Sequence, residues 1–164
     1  MFHAMDLNLV EFWLRRDPER WLIGALAGFI AAAISMGVAM IAAGFTIGEI
    51  WFPLKLAAVP VLGGGATRFG FAVLPILIGL VSIVALSGLL GFLFAHFVWS
   101  NSLRVLLPMG LTWGIFCWVF IWNLFLQSVR AIFTLQVSSG VAFGVCLVFG
   151  LSLTVVAALD RRSP

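Results

Sequence analysis

The chain has 164 residues, 63% of them hydrophobic and 9% charged, with nine Lys and Arg against six Asp and Glu. A soluble domain carries about 25% charged residues because its surface faces water, so this composition excludes a water-soluble globule and makes lipid the main solvent. The net charge of +3 sits singly or in pairs at the ends of apolar runs, which excludes the basic stripe of a nucleic-acid-binding face.

Residues 5–16 predict a short amphipathic helix. At about 100° per residue, Asn8, Glu11 and Arg15 share one side and Leu7, Val10 and Leu14 the other. Glu11 and Arg15 stand in the favourable i,i+4 order. Such a helix lies along the headgroup boundary with Trp13 as an anchor. Asp17 and Pro18 then read as a helix start, a capping carboxylate before a proline whose missing N–H costs nothing there. Span one is predicted over residues 21–43. It begins too far in, and runs too long, for a cleaved secretory signal, and is expected to be retained. Small residues recur every four positions, as Gly24, Gly28, Ala32 and as Ala27, Ala31, Ser35, the pattern that lets helices approach closely in lipid.

Residues 44–70 break the pattern. Glu49, Trp51, Pro53 and Lys55 form a polar, aromatic, proline-broken patch, and the apolar stretch from Leu54 to Leu62 is too short to span and is interrupted by Pro60. An interfacial or re-entrant segment is expected here. Glu49 and Lys55 can pair across this loop, but solvated interface charges are the commoner case and the one expected, because exposed ion pairs contribute little. Gly63-Gly64-Gly65 reads as a flexible loop and lacks the pattern of a phosphate-binding loop.

Span two is predicted over 71–98, with Ser87, Gly91 and Ala95 as its small-residue row. A polar turn at 99–102 and Arg104 mark the membrane edge. Span three, 105–126, is rich in rings: Trp113, Phe116, Trp118, Phe120, Trp122 and Phe125. A loop containing Gln127, Ser128 and Arg130 follows to about residue 136. Span four, 137–159, carries Ala142, Cys146, Gly150, Thr154 and Ala158, the longest i,i+4 row of small residues, and this face is expected to meet another helix. The fold expected is all-α: one membrane domain over 1–164, a four-helix bundle with an N-terminal interfacial helix and a re-entrant segment between spans one and two. Arg15, Arg16, Arg20, Arg104, Arg161 and Arg162 fall on one side, six basic residues, against three on the other, Lys55, Arg68 and Arg130. The positive-inside rule then places both termini in the cytoplasm.

No Asp, Glu, Lys or Arg lies near the centre of any predicted span. A charge there costs at least about 2.5–3.5 kcal/mol, so such residues mark function when present. Their lack argues against proton relays, ion-coupled transport and ionisable catalytic pairs, and the chain is read as non-enzymatic. His96 is a candidate haem or chlorophyll ligand through a ring nitrogen, but His3 is the only other histidine and lies outside the spans. An interface histidine hydrogen-bonded to its surroundings is the commoner situation. Asn123 and Gln127 are candidates for polar bonds across helices, or for the lining of a polar pathway. Cys117 and Cys146 read as free buried thiols. No metal cluster or dinucleotide motif is present, and no cofactor is required, although bound lipid, quinone or pigment is compatible with the aromatic third span.

Three functions follow as expectations. The first is a non-catalytic accessory subunit of a larger respiratory or photosynthetic electron-transport complex in a bacterial inner membrane, with other membrane subunits and the bilayer as partners. The second is a small homo-oligomeric transporter or channel for a neutral or lipophilic solute. The third is a haem or chlorophyll carrier through His96.

Overall fold

The computed structural model describes residues 18–98, 102–121 and 138–160, apart from the side chains of residues 157 and 158. The predicted helix over 5–16, the 99–101 turn, Asn123, Gln127, Arg130 and the Ala158 side chain lie outside this description. Among the described residues every regular element is helical.

Helix α1, Pro18–Thr46, begins on the proline expected at a first turn. Two short helices follow, α2 (Phe52–Ala57) and α3 (Val59–Leu62), each with a proline in its first turn. The triple glycine does not form a loop without regular structure. Gly64–Thr67 make a 3-10 turn with Ala66 buried beneath it, after Gly63 at φ 72° has reversed the chain. Helix α4 covers Val73–Phe97 and α5 covers Leu103–Trp118, with Pro108 inside it and a π turn over 119–121. Helix α6, Ser139–Ser152, is capped by the Ser138 hydroxyl, which accepts from the Val141 N–H at 3.3 Å. A 3-10 turn, Leu153–Val155, leads to α7, Val156–Leu159.

Three helical stretches, Pro18–Thr46, Val73–Phe97 and Leu103–Ile121, are long and apolar enough to cross a membrane, and Ser139–Val155 is a shorter apolar helix. At 1.5 Å per residue their lengths bracket the roughly 30 Å hydrocarbon layer. Leu22, Ile41, Leu77, Val81, Leu89, Leu107 and Ile115 point outward, and a soluble surface would not expose so continuous an apolar belt. The chain is an all-α membrane protein of several long apolar helices.

The helices do not pack in sequence order. Helix α1 is central, with α4 on one side and α6 on the other, and α5 packs on α6. The α1–α4 seam is built on glycine. A Cβ at Gly28 would collide with the Ser87 carbonyl oxygen, and one at Gly24 would lie 2.6 Å from the Gly91 carbonyl oxygen. The α5–α6 seam repeats the device. A Cβ at Gly150 would collide with the Gly110 carbonyl oxygen, and one at Gly114 would lie 2.7 Å from the Cys146 carbonyl oxygen. Ser87, Gly91, Ala95, Cys146, Gly150 and Thr154 are thus placed at seams inside the chain.

Candidate functional site

Three groups of residues carry chemistry beyond apolar packing. The first sits where α1 starts and α4 ends. The Arg20 guanidinium donates to the carbonyl oxygens of Ala95 (3.2 Å) and Val98 (2.6 Å), and lies 3.9 Å from the Asp160 carboxylate. A cation on the last carbonyls of a helix satisfies acceptors that have no partner within it and complements the helix dipole. Next to it, the Trp21 indole donates to His96 Nδ1 at 3.3 Å, with Phe92 edge-on to Trp21 at 5.2 Å. A neutral histidine that accepts at Nδ1 carries its proton on Nε2, so neither ring nitrogen offers a free lone pair. Ligation of haem or chlorophyll would require that bond to be given up. Among the described residues no group of three His, Cys, Asp or Glu could hold a metal.

The second group overturns the expectation of solvated charges at the opposite end. Lys55 is fully buried and Glu49 nearly so, and the two form an ion pair. The ammonium also donates to the carbonyl oxygens of Arg68 (2.5 Å) and Gly70 (3.1 Å), while the same Glu49 oxygen accepts the Gly70 N–H at 3.2 Å. All three donors of the lysine are therefore used. The physical reason for the inward turn is local. The chain after α3 returns past α2, so the Arg68 and Gly70 carbonyls and the Glu49 carboxylate converge on one point, which a three-donor ammonium satisfies. The pair is a staple between α2 and the start of α4. The lysine has no donor left for a ligand.

The third is a cleft of about 590 Å³ between α1, α2, α4 and α6, with Ile121 at the end of α5. Its existence follows from the packing order. Helices α4 and α5, neighbours in sequence, meet near the Arg20 end through Trp113, whose ring lies 5.8 Å from Phe94 and 6.1 Å from Phe97. Towards the other end the α2–α3 segment and the 3-10 turn after it lie between them, and Ile78 and Ile121 pack against the cluster of buried Ala58, Val59 and Ala66. A Cβ at Gly79 would collide with the Leu54 carbonyl oxygen, so α2 is wedged hard against α4. The space above this wedge is the cleft.

Its walls are Met36, Ala39 and Ala43 from α1, Phe52 and Leu56 from α2, Ile83 and Leu86 from α4, and Val141, Ala142, Val145 and Cys146 from α6. No Asp, Glu, Lys, Arg or His is among the described lining residues. The uncharged polar groups include Thr46 and Ser138 at the outer end, with Ser82 and Cys146 deeper. Thr46 donates to Ala42 O (2.8 Å) and Ser82 to Ile78 O (2.8 Å), leaving both oxygens able to accept. From Thr46 to Met36 the cleft reaches about 15 Å along α1.

Of the residues singled out in the sequence, Ala142 and Cys146 line the cleft, Ser87, Gly91 and Ala95 belong to the α1–α4 seam, and His96 to the Arg20 end. Met36, Ala39, Ile83 and Leu86 carried no signal in the sequence, since an apolar residue facing a cavity looks the same as one facing lipid. Comparison with known proteins shows no family: no family model matches the chain, and neither a curated protein nor a solved structure does so.

Proposed function

We propose that this chain is a non-catalytic four-span protein, both termini cytoplasmic, that binds a neutral lipophilic molecule in the cleft between α1, α2, α4 and α6. One observation carries the reading: a cavity of about 590 Å³ whose described lining is apolar with a few hydroxyls and a thiol and holds no charged residue. That volume falls within the range of roughly 300–1,000 Å³ of small-molecule sites, and such sites are mostly apolar with a few polar groups that orient the ligand. An ionised ligand would enter without a counter-charge and pay its full desolvation penalty. A neutral amphiphile meets no such barrier. The shorter α6 supplies the fourth span, closed at its ends by the Ser138 cap and the Leu153–Val155 turn. The six basic residues assigned to the side of the termini, against three, support the orientation.

A second reading, the accessory subunit of a larger respiratory or photosynthetic complex, draws on a different observation. Ile115 and Phe116 are both well exposed on the outer side of α5 and offer an apolar surface to a neighbouring subunit. The small-residue rows of α1, α4 and α6 lend it less support, because they are used within the chain.

Native mass spectrometry of the protein released from membranes in mild detergent separates the two. A retained neutral-lipid adduct, lost in Ala142→Phe while the melting temperature is kept, is the result expected of the cleft. Co-migration with a stoichiometric set of other polypeptides and no adduct would replace it with the accessory role.

A further inference from the structure

A second cavity, about 300 Å³, lies on the outer side of the α1–α4 pair. It is lined by Phe29, Ala33 and Gly37 of α1, Trp51 and Leu54 at the start of α2, and Leu80 and Val84 of α4. Phe29, Trp51, Leu80 and Val84 are each at least 40% exposed, so this groove faces the acyl chains of the bilayer. Met36 and Ile83 line both the groove and the inner cleft. These two half-buried side chains stand between lipid and the cavity.

The frame around them is rigid on both sides. Towards the Arg20 end, α1 and α4 touch backbone to backbone at Gly24, Gly28, Ser87 and Gly91, and the Phe29 ring closes on Gly88. Towards the Glu49 end, α2 is wedged against Gly79 and stapled by Lys55. Between these contacts the Met36 and Ile83 side chains separate the groove from the cleft. Methionine is unbranched and changes rotamer without disturbing its helix. On the next position, Gly37 meets nothing within 4 Å of a built Cβ, so the groove beside Met36 has room to receive it. Toward the aqueous end buried Phe52, Ala58 and Val59 lie across part of the bundle, and the exposed Thr46 and Ser138 hydroxyls mark where the cleft meets the headgroup region.

We infer that the cleft fills from the bilayer through a portal between α1 and α4, gated by Met36 and Ile83, and that its ligand is a neutral membrane amphiphile. Its tail enters past Met36, and its uncharged polar head reaches the Thr46 and Ser138 hydroxyls. The inference rests on the cleft being a ligand site, and the test separates the two.

Cys146 lines the cleft and serves as the reporter, and buried Cys117 is removed as Cys117→Ser. The protein is reconstituted in phosphatidylcholine vesicles and exposed to N-dodecylmaleimide, a neutral single-tailed amphiphile that adds irreversibly to the Cys146 thiol. The parent is expected to be labelled, and Ala142→Phe, which fills the cleft, to be protected. Gly37→Leu fills only the outer groove and is expected to slow labelling about tenfold, as an added barrier of about 1.4 kcal/mol does. Ala33→Leu is a second variant in the same groove and is expected to act in the same direction. A sulfonated, membrane-impermeant maleimide is expected to react slowly, at a rate that neither groove variant changes. A parent that N-dodecylmaleimide fails to label removes the cleft as a site and the portal with it. Labelling of the parent at a rate unchanged in both Gly37→Leu and Ala33→Leu leaves the cleft standing and overturns the portal, as does faster reaction of the sulfonated reagent.

Discussion

Lys55 shows how one buried charge can organise a segment that has no regular structure of its own. Its ammonium is satisfied by Glu49 and by two carbonyls 13 and 15 residues further on. Removing one partner of such a pair leaves the other charge buried and alone, which costs about 3–5 kcal/mol. Lys55→Met is therefore expected to lower unfolding stability by that order, measured in detergent by a thermal or denaturant transition. The double variant Glu49→Gln, Lys55→Met removes both charges and is expected to recover a large part of the loss. A double variant no better than the single would show that the carbonyl contacts, rather than the paired charges, matter most. Arg20 plays the matching part at the other end. Its bonds to Ala95 and Val98 are charge-assisted, a class that contributes about 1.5–3 kcal/mol each. Arg20→Met is expected to destabilise by at least one such bond. Arg20→Lys, which keeps the charge but loses the planar fork, is expected to fall between it and the parent.

At the scale of elements, one tight helix contact and one open groove are distinguished by what a single methyl group would do. Gly79→Ala places a Cβ on the Leu54 carbonyl oxygen, and backbone cannot rotate away as a side chain can. Overpacking of this kind costs about 1–3 kcal/mol, and here it would also lift α2 off α4. Gly37→Ala provides the opposite case. Nothing lies within 4 Å of the added carbon, and the residue is inside a helix, where alanine is favoured over glycine by roughly 0.5–1 kcal/mol. Melting temperatures of the two variants are expected to move in opposite directions, Gly79→Ala down and Gly37→Ala up. A fall in both would mean that the groove beside Gly37 is closed in the folded protein.

At the scale of the whole molecule, long apolar helices and rows of small residues were legible from composition and a period of four. The choice of partners was not. Gly24 and Gly28 announce that some backbone comes close, but nothing on α1 says that it is the α4 backbone at Ser87 and Gly91. Of the row on α6, Cys146, Gly150 and Thr154 lie against α5 of the same chain, while Ala142 lines the cleft. The inward turn of Lys55 was hidden for a different reason: its acceptors are carbonyls, which every sequence contains, brought together only by the turn at Gly63 and the bend at Gly70. The cleft was least legible of all. It is assembled from five separate stretches of chain, and each contributes side chains that would be equally at home against lipid.

The clasp of Arg20 on Ala95, Val98 and Asp160 joins the start of α1 to the end of α4 and to the residue after α7 at one end of the bundle. The cleft and its hydroxyls lie towards the other end. The Lys55 staple closes the other end, where its ammonium holds the Arg68 and Gly70 carbonyls just before α4 begins. The chain is therefore braced near both faces of the membrane, as a ladder is by its first and last rungs. Drawing α4 out of the bundle has to break a charged contact at each of its ends.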